Sequence, residues 1–349
     1  MAKKFLRREF LLTGSMALSS SLLLKACTST TTESSTETSN PQDFKIAIVL
    51  PGIITDRAWN QSGYEGIELA KQTLSVETAY SEKVGQADQA EALSDFARRG
   101  YQIVYAHGGQ FDGAIAQVAP QFPDTFFVGV NGAVSGANMA SLRIDHLQGS
   151  YLCGMIGALM TKSNNMAYLT AQSFQATDEE LRGFELGAQS VKPEVQITPS
   201  YTGDWNDAAK AKEATLALIS SGVDVVYQWL DNASPAVLQT CAEKNVFAFG
   251  NTSDQLEIAP KAVLTSAVKR LDRAIASLAE LAVQGNLKGQ IYTIGLESTD
   301  ILYLGQFGEM VPEEVKTKAL ATQEQIKQQK ILFEPCEVKG KSTRCVKVI

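Results

Sequence analysis

Two short clusters hold the residue types with the most chemistry to offer. Asp56, Arg57, Ala58, Trp59, Asn60 and Gln61 follow the first apolar run, and Gly203, Asp204, Trp205, Asn206 and Asp207 repeat that composition farther along. A Trp beside Asp and Asn presents a flat apolar face next to hydrogen-bonding edges, which suits a planar heteroaromatic ligand. Taken singly, the first cluster has a second reading in which Asp56 caps a helix and Trp59 packs at its start. The chain has only three Trp, and two of them occupy matching places. If two halves close face to face, a ring is held between those indoles, and stacking a base on an aromatic side chain is worth about 1–3 kcal/mol.

Motifs for bond-breaking chemistry are missing. There is no G-x-x-x-x-G-K-[ST] loop, no G-x-G-x-x-G after the first strand and no G-x-S-x-G elbow. His107 and His146 stand far apart with no C-x-x-C or H-E-x-x-H nearby, so neither a metal site nor a cofactor is expected. An enzyme such as a nucleoside hydrolase would need a ligand cluster or an activated nucleophile, and none is visible. Cys153 and Cys241 lie in apolar helical patterns, where inert buried thiols are expected. Cys336 and Cys345 flank the polar stretch EVKGKSTR, which has the look of a hairpin turn, and they are a candidate disulfide in an exported protein.

The elements that must position the two clusters follow from the pattern of the chain. With 349 residues, two lobes are the default, and 44% hydrophobic with 20% charged residues describes an ordinary globular protein. From Phe44 onward, runs such as FKIAIVLPG, YQIVYAHGG, TFFVGVNG, MAYLTAQ, VDVVYQWLD, VFAFGNTSD and VLTSAV alternate with helical patterns. Near-continuous apolar strands between helices predict parallel sheets covered on both faces, an α/β architecture. Polar residues gather where each strand stops, and in open parallel sheets ligands bind at those carboxyl ends. A break near Asp145 starts a second alternating series, and the chain is expected to return to the first half with the helix after VLTSAV. The expected organisation is an N-terminal lobe of 44–144 plus about 270–300, and a C-terminal lobe of 145–269 plus about 301–349, hinged as a clamp.

The N-terminus reads as an address. Arg7 and Arg8 precede an apolar run from Phe10 to Leu24, a twin-arginine-like signal too short to span a membrane. Leu24-Lys25-Ala26-Cys27 has the form of a lipoprotein cleavage box, with Lys25 where a small residue is usual. Residues 1–26 are thus expected to be removed, Cys27 to carry lipid, and 27–43, rich in Ser and Thr, to act as a tether on the outer face of a membrane. The net charge is -7, and the signal region is basic, so the remainder is still more acidic and poorly suited to nucleic acid. A monomer is expected.

The segments TDRAWNQSGYEG, FDGAIAQVAPQFPD, HLQGSYLCGMIGAL, RGFELGAQ, YTGDWNDAAKAKE and SDQLEIAPKAVLTSAVKRLD occur in an order that resembles the basic membrane protein family of ABC-transporter solute-binding lipoproteins, which includes a purine nucleoside receptor. The resemblance runs from about residue 46 to 320. It implies a type I periplasmic-binding fold of two Rossmann-like lobes and an ABC permease as partner. It also implies that Asp56, Trp59 and Asn60 form one wall, that Trp205 forms the other, that Asp112 bonds a base edge, and that Asp254 and Lys269 meet ribose hydroxyls. The chain departs from the family where Trp replaces the usual Phe at both walls and where Thr252 replaces an Asp. It departs again where Leu230-Asp231-Asn232-Ala233-Ser234-Pro235 stands in place of a glycine-rich stretch, bringing Asp231 and Asn232 to the cleft. The ligand this implies is a purine nucleoside; riboflavin, a free purine, or a sensor or adhesin role without transport are the alternatives.

Overall fold

The computed structural model describes residues 44–56, 59–338 and 341–349; Cys27, the signal segment and the tether lie outside them. The first six-stranded sheet contains β1 (Lys45–Val49), β2 (Glu77–Ser81), β3 (Ile103–His107), β4 (Phe126–Val130), β5 (Met139–Ile144) and β11 (Ile291–Ile294). The second contains β6 (Asn165–Thr170), β7 (Gln196–Tyr201), β8 (Val225–Trp229), β9 (Phe247–Thr252), β10 (Val263–Lys269) and β12 (Leu302–Leu304). Their orders are β11-β5-β4-β3-β1-β2 and β12-β10-β9-β8-β6-β7, the same order twice. Every neighbouring pair is parallel except β10 with the short β12.

Strands buried on both faces need apolar side chains throughout. Those of β3, β8 and β10 are buried along their whole length, whereas the edge strands β2 and β7 are largely exposed and correspondingly polar. The chain passes between the sheets three times: after β5 into α4 (His146–Met160), after β10 into α8 (Leu271–Val283), and between β11 and β12. Helix α8 packs on α1 (Trp59–Leu74) of the first sheet, and α4 packs on α5 (Gln175–Val191) of the second. The α4–α5 approach depends on glycine. A Cβ on Gly154 would lie 2.0 Å from the Phe184 carbonyl oxygen, and one on Gly187 would lie 1.9 Å from that of Tyr151. A final helix, α9 (Glu313–Lys327), leads to the antiparallel hairpin β13 (Ile331–Val338) and β14 (Lys341–Val348), joined by a Cys336–Cys345 disulfide. Cys153 and Cys241 are free and buried, and burial pushes the Cys241 thiol up to about 12.

The core of the second lobe contains a charged group. The Glu180 carboxylate on α5 is fully buried and accepts hydrogen bonds from Tyr227 (2.7 Å), Tyr168 (3.2 Å) and Asn251 (3.1 Å), and it pairs with the Lys269 ammonium. Lys269 also donates to the Asn251 side-chain oxygen at 2.9 Å. Removing one member of such a pair strands a charge in the interior, at a cost of about 3–5 kcal/mol. Lys269→Met is therefore expected to lower the unfolding free energy by about that much in urea denaturation. A loss below about 1 kcal/mol would show that Glu180 has another way to hold its charge.

Candidate ligand-binding site

A cavity of about 1300 Å³ opens where the carboxyl ends of the two sheets face each other. From the first lobe it is lined by the loop after β1 (Pro51 to Asp56), the start of α1 and the segments after β3 and β4. From the second it is lined by the loop after β6, by Trp205 and Asn206 after β7, and by Trp229, Asp231 and Asn232 at the end of β8. In this strand order β1/β3 and β6/β8 are the switch points, where neighbouring connections leave in opposite directions and open a crevice.

The first wall is laced from inside. The Asp56 carboxylate accepts from the backbone N–H of Asn60 (2.9 Å) and Gln61 (3.0 Å) and from the Asn60 side-chain amide (2.7 Å), while the Asn60 side-chain oxygen accepts from Gly52 N–H (2.9 Å). Capping of the helix and shaping of the wall are thus one arrangement. The Trp59 indole stacks on the His107 ring at a centroid distance of 4.2 Å and 26°, and His107 Nε2 donates to the Trp59 carbonyl at 2.8 Å. Burial pushes the His107 imidazole down to about 4, so the ring behind Trp59 is neutral. Asp112 opens α3 (Asp112–Val118); one of its oxygens accepts from Ala133 N–H at 2.8 Å, and the other is buried without a partner. Burial is the main cause of its raised carboxyl pKa.

The second wall is built from two interlocked loops. Asp204 accepts from the N–H of Asn206 (2.8 Å) and Asp207 (3.2 Å), and Asp207 caps α6 (Ala208–Ser220) through the N–H of Ala209 and Lys210, both at 3.0 Å. The Trp205 carbonyl accepts from Asp231 N–H (3.1 Å) and Ala233 N–H (3.3 Å), and Asn232 donates its amide to the Asn206 side chain (2.9 Å). The Trp205 ring meets Phe174 edge to face at 5.9 Å and Trp229 at 6.4 Å. His146 lies 4.8 Å from Trp229, tilted by 32°; it is 5% exposed, and neither ring nitrogen has a hydrogen-bond partner. Burial, together with the Lys269 and Arg143 charges, holds its pKa far below the usual value.

The sequence-derived residues Asp56, Trp59, Asn60, Asp112, Trp205 and Asp231 come together on this cavity. Asp254 and Lys269 do not line it. Asp254 accepts from Gln306 N–H (2.8 Å), Leu256 N–H (3.3 Å) and the Ser266 hydroxyl (3.3 Å), tying the loop after β9 to β10 and to the segment after β12. Lys269 sits behind the wall, its ammonium 3.9 Å from the Trp229 ring centroid and engaged by Glu180 and Asn251. Sequence reasoning missed Trp229, Phe174 and His146. Trp229 ends an apolar run and reads as core; its position at a strand's carboxyl end was the available signal. Among the described residues no group of three or more His, Cys, Asp or Glu is placed to hold a metal ion, and no helix is long and apolar enough to cross a membrane.

Residues 44–341 match the family described as ABC transporter substrate-binding protein, PnrA-like. Among curated relatives, the chain is 28% identical to a transcriptional activator protein of Bacillus subtilis, with 87% of this chain and 92% of the relative covered. It is 27% identical to a purine-binding protein of Brucella abortus (82% and 81% covered) and 25% identical to an ABC transporter nucleoside-binding protein of Lactococcus lactis (81% and 87%). A solved ABC-transporter solute-binding protein of Aeropyrum pernix superposes with a TM-score of 0.73 at 18% identity, covering 85% of this chain and 94% of that one. The fold is that of type I periplasmic solute-binding proteins, and the chain belongs to the Bmp family of ABC-transporter substrate-binding proteins.

Proposed function

We propose that this protein captures a purine nucleoside between its lobes and delivers it to an ABC importer, held on the extracytoplasmic face of a membrane by lipid on Cys27. The observation that carries the reading is a single cavity with Trp59 on one lobe and Trp205 on the other, bordered by Asp56, Asn60, Asp112 and Asp231. Indoles supply ring faces, and carboxylates accept from base N–H groups and ribose hydroxyls. Relatives whose names state purine and nucleoside binding support the same ligand class. A ring contacted on both faces binds the closed form better than the open one, so the ligand shifts the hinge equilibrium by that differential affinity. In this reading Asp254 and Lys269 act from behind, keeping the second wall in place.

Guanosine, inosine and adenosine are expected to quench tryptophan fluorescence of the tetherless protein. At 100 times the dissociation constant the most tightly bound should add about 2.7 kcal/mol of apparent stability and raise the melting temperature by several degrees. Ribose alone should do neither. Tighter binding of riboflavin than of any nucleoside, or consumption of the nucleoside over time, would displace this reading. Trp205→Ala is expected to weaken nucleoside binding about 10- to 100-fold in fluorescence titration, with the circular dichroism unchanged; an unaffected dissociation constant would remove Trp205 from the site. In membrane fractionation, Cys27→Ser should move the protein from the pellet to the soluble fraction; retention in the pellet would rule out lipid on Cys27 as the anchor.

A further inference from the structure

We propose that Asp231 is a specificity-determining residue, selecting purines whose edge presents two adjacent N–H donors, the guanine type, over purines with an acceptor at that position. The inference rests on the purine reading above and goes beyond it by assigning the edge.

Four observations carry it. First, Asp231 is joined to the stacking wall: its N–H is bonded to the Trp205 carbonyl, so a ring lying on Trp205 has its edge beside Asp231. Second, the Asn232–Asn206 hydrogen bond locks the same two loops together, which fixes the Asp231 backbone relative to the indole. Third, Asp231 lines the cavity from the second lobe while Asp56 lines it from the first, and the two carboxylates are close enough to repel. Asp56 already accepts hydrogen bonds from Asn60 and Gln61 at the start of α1, whereas among the described residues no donor reaches the Asp231 carboxylate. Fourth, on the same wall His146 is almost completely buried with both ring nitrogens unpaired, a second independent sign that this side of the cavity lacks its polar partner.

A carboxylate with free lone pairs is matched by two parallel N–H donors, as in its pairing with a guanidinium. The guanine edge offers N1–H and the exocyclic amine side by side. Hypoxanthine offers N1–H alone, and adenine turns an N1 lone pair toward the carboxylate. A donor pair between Asp231 and Asp56 also relieves the repulsion that opposes closure of the empty clamp.

The electrostatics give the site a signature. Burial and the facing Asp56 push the Asp231 carboxyl up to about 7 in the ligand-free protein. Among the described residues, the other charged or titratable side chains lining the cavity are Asp112, Arg143 and His146; burial with two nearby cations keeps the His146 imidazole neutral. A ligand that donates to Asp231 stabilises the ionised carboxylate and lowers its pKa. Binding then releases a proton, and affinity rises as the pH increases through about 7.

The test is titration of guanosine, inosine and adenosine against the unaltered protein, Asp231→Asn and Asp112→Asn, at pH 6 and pH 8. The unaltered protein is expected to bind guanosine at least tenfold more tightly than adenosine, with the larger preference at pH 8. Asp231→Asn, of the same shape, should weaken guanosine 10- to 100-fold, change adenosine by less than threefold and remove the pH dependence. Its melting temperature without ligand should be unchanged or higher, which separates selection from folding. An unchanged guanosine-to-adenosine ratio in Asp231→Asn would overturn the inference while leaving the purine reading intact, as would loss of the preference only in Asp112→Asn. Failure of all three nucleosides to bind the unaltered protein would overturn both.

Discussion

Two parallel sheets aimed at each other by their carboxyl ends are the constraint from which the rest of this molecule follows. Parallel strands end together at one edge, and their connecting loops leave polar groups there. Both sheets have the same strand order, and the loops at the β1/β3 and β6/β8 crevices line one cavity. Three chain crossings connect the two sheets. The α4–α5 contact at Gly154 and Gly187 is part of the same design. It brings the helix that starts at the first crossing tight against the second sheet, so the His146 end of α4 sits in the cavity wall.

Local helix capping and ligand binding draw on the same residues here, which is why the first cluster could be read two ways. Asp56 accepts from first-turn N–H groups of α1, and Asp207 does the same for α6. That capping leaves Trp59 and Trp205 standing at strand ends, facing a shared cavity. A carboxylate that satisfies orphan N–H groups also fixes the first helical turn, and the indole next to it gains a defined direction without further contacts. The rings behind complete the support: His107 under Trp59, and Phe174 with Trp229 around Trp205.

The fold was legible where burial forces composition. β1, β3, β4, β6, β8, β9 and β10 are apolar runs because helices cover both their faces. β2 went unnoticed, and β7 entered only as the strand before Trp205, because half-exposed edge strands carry the polar residues of loops. Asp56, Trp59, Asn60 and Trp205, singled out by residue type and spacing, and Asp112 and Asp231, singled out through the family resemblance, all line the cavity. Trp229 was not singled out, because the final residue of a buried strand looks like core until the strand's end is known. Asp254 and Lys269 were placed by resemblance alone, and their hydrogen bonds run to Leu256, Ser266 and Gln306 and to Glu180 and Asn251, away from the cavity. Glu180 gave no signal either: one carboxylate in a helical pattern reads as solvent-facing, and only the packed structure reveals Tyr168, Tyr227, Asn251 and Lys269 around it.

That buried cluster explains why a lysine stands behind an indole. Desolvating Lys269 and Glu180 costs several kcal/mol per ion, and well-packed apolar residues of similar volume are often as stabilising as such a pair or more so, which makes net stability a weak reason for it. Its geometry supplies a better one. The ammonium 3.9 Å from the Trp229 centroid holds one face of the ring by cation–π attraction, while His146 packs against the indole at 4.8 Å. Trp229 contacts Trp205 in turn, and the Trp205 backbone holds Asp231. The charged core therefore sets the position of an aromatic wall and of the carboxylate at its edge. A hinged clamp needs that rigidity in each jaw, because ligand can bias closure only if the groups it meets are already in place when the jaws arrive.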